Sequence, residues 1–153
     1  MRRLRGLAYL LLLLPLLLPL QGSAQTVSSQ VVITEVQTTG SNNVTDQEFV
    51  EIYNSSNSIL NVKDWKLQYL SATGKNWQTK TVFSGYMMPK GRMLIASSNY
   101  LVDTADATFS SGLKLDAGHV RIVSPDPDNE TAVIVEDLLG WGGAGLSDTK
   151  ASA

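Results

Sequence analysis

The chain has 153 residues, with 12 basic and 14 acidic side chains, one histidine and no cysteine. That inventory excludes thiol nucleophiles, disulfides, haem attachment and zinc sites of the usual types. It also argues against nucleic acid as a partner, because phosphate binding wants a basic face and no Lys or Arg run occurs after Arg5.

The first two dozen residues are unlike the rest. Arg2, Arg3 and Arg5 precede a leucine-rich run from Leu7 to Leu20, and Gly22-Ser23-Ala24 then puts small residues where a signal peptidase inspects the chain. A membrane span needs ~20 apolar residues. This run is shorter and is interrupted by Pro15 and Pro19. Residues 1–24 are therefore expected to be a cleaved signal peptide, which makes the mature protein secreted, extracellular or on the cell surface, with no membrane attachment after cleavage. Losing the three arginines leaves 9 basic against 14 acidic residues, a net charge near −5. What remains is the size of one ordinary domain.

Residues 25–30 are a Ser/Thr/Gln lead-in expected to be flexible. Val31 to Val36 is the first strand, rich in β-branched residues, and a polar loop from Thr38 to Gln47 follows it. Glu48 to Asn54 is the strand around which the rest is organised: alternation puts Val50 and Ile52 on one face and Phe49, Glu51 and Tyr53 on the other. After an Asn/Ser turn and a short apolar piece at Ile59 to Val62, the segment Asp64 to Leu70 alternates with Trp65, Leu67 and Tyr69 on the core face.

Trp77 to Phe83 is expected as an edge strand. Pro89-Lys90-Gly91 is a turn with glycine accommodating the reversal, and Arg92 to Ala96 is a short strand buried on both faces. Ser97 to Ser111 is irregular, with Tyr100, Leu101 and Phe109 as its anchors. His119 to Val123 alternates with Val120 and Ile122 inward. Ser124 to Asn129 is expected as a hairpin loop because two prolines oppose a strand, and Thr131 to Leu139 is the return strand. About eight short strands, with turns every ten residues or so and no 3.6-residue period, indicate an all-β sandwich or barrel.

These pieces resemble a lamin-tail domain, the immunoglobulin-like module that ends nuclear lamins and also occurs in exported bacterial proteins. They are V-V-I-T-E-V at 31–36, E-F-V-E-I-Y-N at 48–54, D-W-K-L at 64–67, M-P-K-G-R-M-L-I-A at 88–96, L-K-L-D-A-G-H-V-R-I-V-S-P-D at 113–126 and V-E-D-L-L-G-W-G at 135–142. The resemblance covers 31–142 and implies an immunoglobulin-like β-sandwich. The absence of a heptad rod and of a nuclear-type basic segment places it with the exported bacterial branch. Residues 143–153 are then a flexible C-terminal tail. The family usually carries a further stretch past the G-W-G region, so an open sheet edge, or a chain that is a fragment, is expected at that end.

No residue set calls for catalysis or a cofactor. Glu48 and Glu51, three apart on a strand, point to opposite faces and cannot act as an acid/base pair, so Glu51 is expected to tie the sheet to a loop amide. His119 has no G-x-S-x-G elbow to present a serine to it. Asp126, Asp128 and Glu130 offer oxygen ligands for a weak calcium site, against the plainer reading of turn chemistry in a Pro/Asp loop. Asn43, Asn54 and Asn129 each fit the N-glycosylation pattern, which matters only in a host with that machinery. Trp77, beside Lys75, Asn76, Gln78 and Thr79, is either a sugar-stacking platform or a cap on the sandwich rim. The expected function is a non-catalytic binding or structural module for an envelope or extracellular protein or polysaccharide. The alternatives are a dedicated polysaccharide-binding module and an accessory domain of a larger exported hydrolase or nuclease.

Overall fold

The computed structural model describes residues 30–38, 47–110 and 112–143. The expected signal peptide, the lead-in before Gln30, most of the polar loop and the tail beyond Gly143 lie outside the described residues.

The described residues form ten strands: β1 (Val31–Gln37), β2 (Phe49–Asn54), β3 (Leu60–Asn61), β4 (Trp65–Ser71), β5 (Gln78–Phe83), β6 (Tyr86–Met87), β7 (Arg92–Ser97), β8 (Ala107–Phe109), β9 (Ala117–Asp126) and β10 (Asn129–Gly142). They form one sheet in the order β1-β2-β7-β8, a second in the order β10-β9-β4-β5, and a small β3-β6 ribbon. All pairings are antiparallel except β7 with β8.

The core lies between the two sheets and follows from two-residue alternation. Val31, Ile33, Val50, Ile52, Met93, Ile95 and Phe109 face it from the first sheet. Trp65, Leu67, Tyr69, Phe83, Val120 and Ile122 face it from the second, while Val62, Met87 and Leu113 close its ends. Each fully buried aliphatic side chain contributes ~1.5–3 kcal/mol through loss of contact with water. In β7, Ile95, Ala96 and Ser97 are buried in succession, as a strand covered on both faces should be, whereas Leu94 is half-buried.

On β2 the alternation extends to both ends. Glu48, Val50, Ile52 and Asn54 are all fully buried, so two polar residues bracket the apolar pair. The carboxylate of Glu48 accepts the N–H of Gly112 at 2.7 Å and of Leu113 at 3.1 Å, which draws Leu113 into the core. The Asn54 amide donates to the carbonyls of Ser58, Met87 and Met88, and its oxygen accepts from Ser56 N–H and Oγ. Asn54 thereby ties β2 to the ribbon. Glu51, expected to hold a loop amide, instead pairs with Arg92 and accepts from Thr34 Oγ1 at 2.6 Å on the outward face. The loop-tying carboxylate is Glu48.

Several local expectations are corrected. Pro125 lies within β9, opposite Val133 of β10. It falls beyond Val123, the last residue that β4 pairs, so β9 has a partner on one side only there and tolerates the missing N–H. The irregular stretch contains β8, and its supposed anchor Leu101 stands 86% exposed. Tyr100 packs edge-on against Phe49 and Phe109 is buried, so those two anchors hold. In the Pro89 turn it is Lys90 that takes the left-handed φ of 59°. Gly91 is needed for room, since a Cβ there would meet the Met88 carbonyl oxygen at 2.9 Å.

Candidate functional site

The outward face of the second sheet gathers the residues that alternation turns away from the core. The register aligns Lys66 with Val123, Gln68 with Arg121, and Leu70 with His119 across β4 and β9. Gly140 of β10 lies on the far side of His119. On β5 the partners of Gln68 and Tyr69 are Thr79 and Gln78, so Trp77, just before the strand, falls beside Leu70.

A bulge explains why Trp77 and Phe83 part company. The β4/β5 register shifts between Leu67 and Gln68, which leaves Lys80 as an extra residue. Phe83 faces the core, while Thr79 turns outward to accept a hydrogen bond from Gln68 Nε2 at 3.2 Å. One bulge thus reverses the face on which the first half of the segment sits. Trp77 lies just before the edge strand β5 and is half-buried, its indole turned to the outward face of the sheet.

Two residues of β9 meet its indole. The Arg121 guanidinium lies over the ring, 4.2 Å from the centroid, a cation–π contact. The His119 ring stands edge-on, 6.4 Å between centroids at 65°. Arg121 Nε donates to Gln68 Oε1 at 2.8 Å, so Arg121, Gln68 and Thr79 form a hydrogen-bonded row across three strands. His119 is only 3% exposed. Its Cδ2–Nε2 edge abuts Gly140, where a Cβ would come within 2.8 Å of Cδ2, so only glycine leaves the ring its seat. Nδ1, on the opposite edge, is buried without a hydrogen-bond partner.

This arrangement stacks and hydrogen-bonds. A triad histidine is oriented by a carboxylate on one ring nitrogen, and among the described residues none meets His119 Nδ1. The carboxylates elsewhere have structural partners. Asp137 Oδ2 accepts the Ile33 N–H at 2.7 Å, and half-buried Glu136 accepts from Ser124 Oγ at 2.6 Å. Burial pushes the Glu136 carboxyl above its ordinary value, with the Ser124 hydrogen bond acting the other way. Lys80 lies 5.7 Å from the Phe109 ring centroid, and burial lowers its ammonium while the Glu48 charge partly offsets that.

The calcium candidates are not assembled into a site. Asp126 Oδ1 accepts the N–H of Asp128 at 2.9 Å, an Asx turn, while Asp128 and Glu130 are exposed. Among the described residues no three His, Cys, Asp or Glu side chains gather where they could hold a metal ion. Of the glycosylation sequons, Asn54 is fully buried and its amide engaged, so it cannot be an acceptor in the folded protein. Asn129 is exposed, and Asn43 lies outside the described residues.

Trp77 and His119 each stand out in the sequence, but no local pattern brings them together. Parity alone places His119 and Arg121 on one outward face. That β9 lies next to β4, so that both reach Trp77, depends on sheet order, which no local pattern encodes.

Two packed, mostly antiparallel sheets, with no α-helix among the described residues, define an immunoglobulin-like β-sandwich. Residues 24–143 match the lamin tail domain family, and the chain belongs to that family. The resemblance carried by residues 31–142 is borne out by that match. The family's immunoglobulin-like fold is a generic binding or structural module and is non-catalytic. No curated protein matches the chain. Among the described residues no helix is long and apolar enough to cross a membrane.

Proposed function

We propose that the chain is an exported, non-catalytic module that attaches to an envelope or extracellular macromolecule. The observation that carries this is the state of its one histidine. His119 is buried in a sheet face beside Trp77 and Arg121, and among the described residues Nδ1 meets no carboxylate or other hydrogen-bond partner. Such a side chain does not suit proton transfer, whereas the more exposed groups around it suit contact.

Export is supported by the N-terminal arginines, the leucine run and the Gly22-Ser23-Ala24 segment. The net negative charge after cleavage opposes bulk attraction to nucleic acid. Attachment within a larger exported hydrolase or nuclease is the alternative setting for the same module.

The test has two arms. Purified residues 25–153 are incubated with ester, glycoside, phosphodiester and peptide substrates, and are separately passed over immobilised envelope protein and polysaccharide fractions. Saturable retention without turnover is expected. Turnover abolished by His119→Ala would overturn the proposal.

A further inference from the structure

We infer that the outward face of the second sheet, at Trp77, Arg121, Gln68 and Thr79, is a binding site for a neutral polysaccharide chain. This rests on the binding-module reading and names its ligand and its surface.

Two features converge. The indole of Trp77 is a flat apolar surface, and the C–H face of a pyranose ring stacks on such a surface. Beside it, Gln68 joins Arg121 at 2.8 Å and Thr79 at 3.2 Å, so these polar groups are oriented before any ligand arrives, which lowers the ordering cost of binding. His119 stands edge-on to the indole and is itself buried, so it backs Trp77 from behind rather than facing a ligand.

The chemistry of these groups selects the ligand. The Thr79 hydroxyl and the Gln68 amide each pair donor and acceptor capacity, and sugar hydroxyls have the same dual character. The Arg121 cation is already engaged by the Trp77 ring and by Gln68 Oε1, so the face is not a set of donors alone, as an anion would call for. An extended peptide would seek an open strand edge, whereas this surface is a sheet face. A flat face also suits several consecutive sugar rings better than a single one enclosed in a pit.

The full chain without its first 24 residues is titrated with soluble hexasaccharides of β-1,4-linked glucose and of β-1,4-linked N-acetylglucosamine. Calorimetry and the NMR resonances of the Trp77 indole and the His119 ring are followed together. Saturable binding that shifts both sets of resonances is expected, with a loss of affinity of ~10-fold in Trp77→Ala and ~3-fold or less in Trp77→Tyr, which keeps an aromatic face. Because the resonances report on the unsubstituted protein, the outcome stands even where Trp77→Ala fails to fold. Absence of binding by either sugar, or binding that leaves the Trp77 and His119 resonances unmoved, would overturn the inference. If the sugars fail while an envelope protein fraction still retains the chain, the site assignment falls and the binding-module reading survives.

Discussion

The carboxylate of Asp137, on β10, accepts the backbone N–H of Ile33, on β1, at 2.7 Å, and so joins the edge strands of two different sheets. Both strands are irregular there: β1 shifts register between Ile33 and Glu35, and β10 between Val135 and Asp137. A side chain thus occupies an edge N–H that would otherwise be open to a foreign strand. Asp137→Ala should lower stability by about 1–3 kcal/mol, the range for leaving one such group unsatisfied. Amide exchange locates the effect. Exchange at Ile33 should accelerate well beyond the change at Ile52, and equal acceleration at both would show that the contact is incidental.

Asn54 offers an isosteric test. Its amide donates to the carbonyls of Ser58, Met87 and Met88 from a fully buried position. Asn54→Asp replaces those donors with a carboxylate facing three carbonyl oxygens, at a cost of about 3 kcal/mol or more. The introduced acid would have its folded-state pKa raised, so the variant should be least unstable at low pH and lose stability as pH rises. A urea midpoint unchanged from pH 4 to pH 8 would contradict this.

The parts of the fold that were legible are those set by alternation. Val50 with Ile52, and Trp65 with Leu67 and Tyr69, lie in the core as their spacing requires. The same rule places Glu48 inward with Val50 and Ile52, but it does not say what Glu48 holds, because the loop that needs a carboxylate lies more than sixty residues along the chain. β8 was invisible because three residues carry no period and it pairs in parallel with β7. Trp77 was singled out, but its partners were not, because a one-residue bulge at Lys80 and the adjacency of β4 to β9 decide what it touches.

Glu48 is expected to be among the most sensitive acidic positions. It is fully buried and accepts two backbone N–H groups, of Gly112 and Leu113. Glu48→Ala should cost about 3 kcal/mol, since hydrogen bonds to a charged acceptor are worth roughly twice neutral ones. Glu48→Gln should also destabilise, because its NH2 group must face one of those donors. Equilibrium denaturation of Glu48→Ala, Glu48→Gln and Glu51→Ala should rank Glu51 as the mildest, its partners being on the surface.

Glu136 points the other way. Burial raises its folded-state pKa from the ordinary value of 4.5, with Ser124 opposing. A carboxyl raised on folding favours the folded state most when protonated, so its contribution is present below the ordinary value and is lost as pH rises through the raised one. Glu136→Gln, which keeps an oxygen for Ser124, should therefore raise the melting temperature at pH 7 and have little effect at pH 3. A larger gain at pH 3 than at pH 7 would reverse that sign and refute it.

If the lamin-tail sandwich is exported and works by attachment, as proposed, purified residues 25–153 should co-sediment with intact envelope particles. Over a range of protein concentrations the bound fraction should saturate, be competed by unlabelled protein and be free of any accompanying turnover. A chain that stays in the supernatant at every concentration, or one that degrades the particles, would refute attachment as its role.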